Sequence, residues 1–204
     1  MIWNRSWSRD VSSSEKADEA DVLVVGAGAA GLSAAVAIAL SGFSVICAGA
    51  LDTKANGRTV ALFEGSLRFF HALGIWPDFE DAAAPIATIA MIDATRSRVP
   101  IPNVEFSASE IGLPAFGANI ENDVLTARLA KIAGGLPNLS LRPAWLADMA
   151  NDADAITATF DSGHVVRARL LVAADGRSST ARRKAQIGAR SWTYPQTEIG
   201  RAHV

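Results

Sequence analysis

The 204-residue chain predicts an α/β fold in which a parallel sheet carries an inserted antiparallel β layer. Three observations predict it. Val22–Val25 is an unbroken apolar run that leads into Gly26-Ala-Gly28-Ala-Ala-Gly31 and an Ala-rich stretch, the pattern of a buried strand, a tight turn and a helix. Leu170–Ala174 is a second apolar run, ending in Asp175-Gly176 and a basic segment. Between the two lie alternating helical and short strand patterns with no internal repeat.

The first motif has a specific physical reading. Gly26 lets the chain turn sharply out of the strand, Gly28 leaves room for a phosphate against the backbone, and Gly31 lets the helix pack close to the sheet. The helix over Leu32–Leu40 presents N–H groups and the positive end of its dipole at its first turn, which favours a diphosphate. A ligand-free Gly-rich turn would use the same three glycines. The correct strand and helix on either side favour a Rossmann-like, dinucleotide-binding unit. The second strand, Phe43–Ala48, is followed by Gly49, where such units normally carry an Asp or Glu for the ribose hydroxyls. Asp52 is the nearest acid, and either replaces it or is a solvated loop residue.

A polar loop, Asp52–Gly57, comes next. The spacing of Leu62, Phe63, Leu67, Phe70 and Leu73 predicts a helix over Thr59–Leu73, stopped by Gly74, with Pro77 opening a further short helical segment. Residues 86–106 read as strands, first Ile86–Ile92 and then Val99–Ile101, and Phe116–Ile120 suggests another. Asn122 opens a helix through Val124, Leu125, Leu129 and Ile132 that ends at Gly134-Gly135. Leu139–Leu141, Ile156–Phe160, Val165–Val166 and Leu170–Ala173 are predicted short strands, and Asp161-Ser-Gly163 marks a hairpin. Leu170–Ala174 is expected to be buried and parallel to the first strand. That puts Asp175 at the carboxyl edge of the sheet, with its carboxylate available to ribose hydroxyls, while Gly176 permits the turn. Ser179 and Arg182 share one face of the helix that follows.

Half the residues are apolar, enough core for one domain or one domain and part of another. The net charge of −2 implies no general attraction to nucleic acid. The single cysteine, Cys47, excludes a disulfide framework and is expected to be a small core residue. No apolar run is long and clean enough to span a bilayer. Residues 1–20 are polar, lack the apolar core of a secretory signal, and are expected to form a disordered tail ahead of one incomplete domain over 21–198. Ile199–Val204 matches one translated frame of a common sequencing adapter and is expected to be an artefact in which His203 has no role; a genuine C-terminus that matches by chance is the alternative. His71 and His164 lack metal-ligand spacing, and no serine or cysteine nucleophile constellation is evident.

Asp175-Gly-Arg-Ser-Ser179 with Arg182 resembles the D-G-x-x-S-x-x-R signature of the class A flavoprotein monooxygenases at every fixed position. Gly57-Arg-Thr-Val-Ala-Leu62, Leu73-Gly-Ile-Trp76 and Asn122-Asp-Val-Leu125 resemble the ubiquinone-biosynthesis hydroxylase branch of that family. The resemblance runs from about Asp21 to Glu198. It implies that Gly26, Gly28 and Gly31 hold the pyrophosphate of FAD, and that Arg58 and Asn122 add polar contacts to it. It further implies that Asp175 and Gly176 meet its sugar or ribityl region, and that Arg182 supports this turn and NAD(P)H binding. Similar enzymes reduce FAD with NAD(P)H and use O₂ to hydroxylate an electron-rich ring, here a polyprenyl-phenol precursor of ubiquinone. No catalytic side chain is implied. The family's third motif, a Gly-Asp pair, lies beyond this chain, so the resemblance implies a portion that holds FAD weakly and does not turn over alone. It also implies a cytoplasmic parent working peripherally at the inner membrane or in association with a biosynthetic complex. A non-hydroxylating FAD-dependent reductase and a non-catalytic nucleotide-binding module stay open beside it.

Overall fold

The computed structural model describes residues 17–51, 57–93 and 102–195. In chain order the elements are β1 (Asp18–Val25), α1 (Ala29–Leu40), β2 (Val45–Ala48), β3 (Thr59–Phe63), α2 (Glu64–Ala72), β4 (Ala84–Pro85), β5 (Thr88–Met91), β6 (Val104–Ser107), β7 (Gly117–Glu121), α3 (Asn122–Gly134), β8 (Leu139–Arg142), β9 (Leu146–Asn151), β10 (Ile156–Phe160), β11 (Val165–Ala173) and α4 (Thr180–Lys184). Single 3₁₀ turns lie at Trp76–Asp78, Glu80–Ala82 and Ala108–Ile111.

The main sheet has six strands in the order β8-β2-β1-β11-β10-β9. The first four are parallel, and β11, β10 and β9 form an antiparallel meander. β1 and β11 pair along their length, but the register skips Asp21, between Ala20–Ala168 and Val22–Leu170. Only the first half of β11, Val165–Ala168, also pairs with β10.

Alternation along the strands shows how the layers stack. Val22, Val24, Val45 and Cys47 pack with Leu32, Val36, Leu125 and Leu129 of α1 and α3. Leu23, Val25, Ile46 and Ala48 pack on the other face with Leu146, Ala158, Phe160 and Val166 of the meander. Both faces of β1 and β2 are therefore covered, which is why their sequences read as unbroken apolar runs. A three-stranded antiparallel sheet, β3-β7-β4, and a two-stranded ribbon, β5-β6, complete the described residues. The expected α/β fold with an inserted antiparallel layer is what is found.

Several elements differ from expectation. Asp18–Ala20, assigned to the tail, are the start of β1, held by parallel pairing to β11. Thr59–Phe63, assigned to the helix, is β3, and the helix starts only at Glu64. β3 pairs with β7 from Thr59–Glu121 to Phe63–Gly117, and this long-range pairing overrides the local helical spacing. β6 falls largely within the 86–106 stretch that reads as strands, β9 was not expected as a strand, and Val165–Val166 and Leu170–Ala173 are one continuous strand. That strand lies parallel beside β1 as expected, yet Leu170 is 53% exposed, because α1 does not reach across to cover it. The Asp161–Gly163 hairpin, the α3 limits and the Gly74 stop are as expected. Residues 1–16, Asp52, Val99–Ile101 and Ile199–Val204 lie outside the described residues.

α1 leaves β1 and returns to β2, so it begins over the carboxyl edge of the sheet. α3 packs on α1, and only four residues separate it from β8, so its start at Asn122 lies over the same edge. The helical layer should be energetically dominant. Leu129→Ala, which removes a fully buried contact between helix and sheet, is expected to lower unfolding stability by about 2–5 kcal/mol. Leu170→Ala is expected to change it by under about 0.5 kcal/mol. Urea unfolding followed by circular dichroism checks both.

Candidate cofactor site

The glycine turn is built by close backbone approach. Gly26 has φ +112°, and a Cβ there would fall 2.2 Å from the Ala174 carbonyl oxygen. A Cβ on Gly31 would fall 1.8 Å from the Gly26 carbonyl oxygen. Both glycines are therefore required by packing of β1, α1 and the end of β11. Gly28 is different. Its φ is an ordinary −79°, and a Cβ there would meet nothing within 4 Å. The protein does not need a glycine at this position for its own packing. The space beside it is open at the start of α1, where no side chain caps the helix and no acid lies in the first turn. Amide donors and the helix dipole are thus presented to that space, which suits a diphosphate.

A cleft of about 440 Å³ opens at this point, lined by Gly26, Gly28, Gly49, Trp145, Asp175 and Gly176 among others. The two sequence motifs, about 150 residues apart, therefore share one cleft. Two larger grooves, about 580 and 680 Å³, flank Asp21 and Arg169 at the other end of β1 and contain no comparable turn. Size alone does not identify the site; the backbone donors do.

Gly49 has a structural cause as well. A Cβ there would lie 2.5 Å from the Ala27 amide nitrogen, so the usual acid does not fit this backbone. Its own N–H donates to the Arg142 carbonyl at 2.9 Å, tying the end of β2 to the end of β8.

Asp175 lines the cleft, but its carboxylate is already engaged. One oxygen accepts from Ser179 Oγ, and the other from the Thr180 N–H at 2.6 Å and the Ala181 N–H at 3.0 Å. Ser179 Oγ in turn accepts from the Arg182 N–H at 2.9 Å, and Arg182 Nη2 donates to the Arg177 carbonyl at 3.1 Å. The signature is thus a closed local network that caps α4 and fixes the turn at Gly176, which has φ +82°. Burial pushes the Asp175 carboxyl up, but the donors from Ser179, Ala181 and Thr180 outweigh it and hold the pKa below its ordinary 3.8. Arg182 lines a neighbouring groove with Gly176 and Ser179, not the cleft that holds Gly28.

Arg58 and Asn122 are brought together elsewhere on the carboxyl edge. The Asn122 N–H donates to the Arg58 carbonyl at 2.9 Å, where β3 and β7 meet the start of α3. Neither lines the cleft. Cys47 is fully buried, and burial pushes its thiol up to about 12, so it is an inert core residue. His71 lies on the exposed side of α2, its ring 5.6 Å from that of Trp76, and His164 Nε2 pairs with Asp18 at 2.8 Å. Sequence reasoning missed the wall formed by Ala144, Trp145 and Leu146. The signal available was the lone tryptophan just after β8, at the carboxyl edge.

An open parallel sheet with a glycine turn, an uncapped helix start and an Asp-Gly turn in one cleft defines a dinucleotide-binding α/β domain. The FAD binding domain family model matches residues 19–201, and the chain belongs to that family. It is 34% identical over 187 residues to the ubiquinone hydroxylase UbiL of Rhodospirillum rubrum, covering 88% of this chain and 42% of that protein. It is 28% identical over 185 residues to the 3-demethoxyubiquinol 3-hydroxylase of Escherichia coli, covering 87% of this chain and 46% of that protein. The chain therefore spans somewhat under half the length of these relatives. Among solved structures, the flavin-dependent monooxygenase PieE, in complex with FAD and substrate, superposes with a TM-score of 0.70 at 22% identity, over 83% of this chain and 32% of that one. The p-nitrophenol 4-monooxygenase PnpA of Pseudomonas putida superposes with a TM-score of 0.69 at 20% identity, over 82% of this chain and 44% of that one. These two likenesses show the shared fold.

The pKa of Asp175 gives a pH prediction. A carboxyl whose pKa is lower folded than unfolded stabilises the fold above its unfolded pKa, and this is lost as pH falls through the folded value. Asp175→Asn is expected to be less stable than wild type near neutrality, by about 1 kcal/mol from the weakened cap. The gap should close below the ordinary carboxylate range. Urea midpoints measured across that pH interval check it; a constant gap would contradict the assignment.

Proposed function

We propose that this chain is the FAD-binding portion of a hydroxylase that inserts one oxygen atom from O₂ into the aromatic ring of a quinone precursor, with NAD(P)H as electron donor. The observation that carries the reading is the single cleft in which the Gly28 turn and the Asp175-Gly176 turn meet. The family match and the ubiquinone hydroxylase relatives support the reaction class.

In this reading the pyrophosphate lies against Gly28 and the first turn of α1. Gly26 and Gly31 act by holding that turn against the sheet. The Asp175-Gly176 turn meets the cofactor's sugar region through its backbone and the lone pairs its carboxylate retains, while its present bonds keep the turn rigid. Arg182 braces the turn and faces the groove that NAD(P)H approaches. Arg58 and Asn122 reach the cofactor from the start of α3 on the same edge. Bound flavin supplies the redox and oxygen chemistry. The residues of this chain bind it, orient it and keep water away, which requires no nucleophile and accords with the inert Cys47. The β5-β6 ribbon exposes Met91, Val104 and Phe106, an apolar surface suited to a prenylated ring. Among the described residues no helix is long and apolar enough to cross a membrane. The parent is proposed to act from the cytoplasm, peripherally at the inner membrane where such substrates partition.

The second reading, a nucleotide-binding module without catalysis, is favoured by Gly49 in place of a ribose acid. Purified chain titrated with FAD is expected to bind one equivalent weakly, without oxidising NAD(P)H. Gly28→Val is expected to abolish binding while leaving the unfolding midpoint unchanged, since its side chain enters only the cleft. Extended to the length of its relatives, the protein is expected to oxidise NAD(P)H and place one atom of isotopically labelled O₂ in a phenolic product. Flavin reduction without oxygen incorporation would point to a reductase, and binding without reduction to the module.

A further inference from the structure

We infer that Trp145 is the platform on which the cofactor's adenine stacks. The inference rests on the reading of the cleft as an FAD site and adds the residue that grips its adenosine end. The pyrophosphate position at Gly28 divides the cleft. In the order β8-β2-β1-β11, one direction from Gly28 leads to Asp175 at the end of β11, and the other leads past Gly49 at the end of β2 toward β8. In dinucleotide-binding sheets the ribose acid stands at the end of the second strand, so the adenosine half lies on the β2 side. Trp145 is three residues beyond β8 on that side, and among the described residues that line the cleft it is the one aromatic.

The surroundings suit a planar base. Ala48, Ala50 and Ala144 line the same cleft as the indole with small side chains. The Trp145 backbone is fixed on both sides: its N–H donates to Asp161 Oδ1 at 3.1 Å, and its carbonyl accepts from the Asp161 N–H at 2.9 Å. The residue is nevertheless 62% exposed, an unusual state for a tryptophan at a fixed backbone position beside a concave surface. A stacked purine would cover it. Such a grip suits this site, because the contact at Gly49 excludes an acid at the position where dinucleotide-binding sheets usually carry one. Base stacking on an aromatic side chain requires no ribose contact and tolerates its loss.

The test titrates the 204-residue chain with FAD, ADP and FMN, read by tryptophan and flavin fluorescence. Wild type is expected to bind FAD and ADP. Trp145→Ala should weaken both on the order of tenfold to a hundredfold, with thermal unfolding unchanged because the side chain is exposed. Trp145→Phe should recover most of the loss, and the variants should not alter any response to FMN, which lacks adenine. Equal ADP and FAD affinity in wild type and Trp145→Ala overturns the platform while leaving the FAD reading intact. Failure of wild type to bind FAD at millimolar concentration overturns both.

Discussion

The structure depends on one close approach, where the backbone of the Gly26 turn is clasped between the start of α1 and the end of β11. The distances that forbid a Cβ at Gly26 and Gly31 put three chain segments nearer than side chains allow. The Gly26 N–H donates to the Ala48 carbonyl at 2.7 Å and the Ala174 N–H to the Val25 carbonyl at 2.7 Å, so the turn is also stitched to both neighbouring strands. Once these contacts form, the first turn of α1 has one direction in which to aim its amides. Gly28 then marks the outlet: the one fingerprint glycine at which an added Cβ would meet no atom within 4 Å, leaving room for something else.

The legible parts of the sequence were those whose signal is local. The start of α3 at Asn122 and its end at Gly134-Gly135 follow from helix periodicity and glycine. β10 and its hairpin follow from a β-favouring run before Asp-Ser-Gly. Thr59–Phe63 was misread because Leu62 and Phe63 continue the helical spacing of Leu67 and Phe70. Its strand state comes from β7, and the missing side chain at Gly117 makes the pairing possible, since a Cβ there would fall 2.2 Å from the Leu62 carbonyl oxygen. β9, Leu-Ala-Asp-Met-Ala-Asn, is poor in β-formers and exists because β10 offers it an edge. The half of the site formed by glycines was therefore readable, and the wall beside β9 was not.

Asp175 shows how motif and mechanism separate. Position alone suggested a carboxylate held out to a sugar. The geometry shows a carboxylate whose two oxygens accept three hydrogen bonds from the helix it precedes. Such a group is worth more as a rigid support than as a flexible ligand, because its donors fix the backbone of Gly176, which faces the cleft. Ser179 is buried for the same reason: its hydroxyl donates to Asp175 and accepts from the Arg182 amide, so both its capacities are used. The spacing D-G-x-x-S-x-x-R is then what one capped helical turn requires, with the arginine closing the loop through the Arg177 carbonyl.

The same logic extends to the opposite flank. A backbone that brings Gly49 against Ala27 cannot carry an acid there, so the glycine at this position is a consequence of how tightly β2 meets the turn. The meander supplies a wall of the cleft. It folds over the face opposite the helices, burying Leu146 against Val25 and Ala48, and thereby carries the preceding residue to the rim of the cleft. Leu146 is buried and Trp145 is not, as strand alternation demands of neighbours at the start of β9. Packing of the leucine thus fixes where the preceding indole stands, at the rim of a cleft that Leu146, Val25 and Ala48 line from the same face of the sheet.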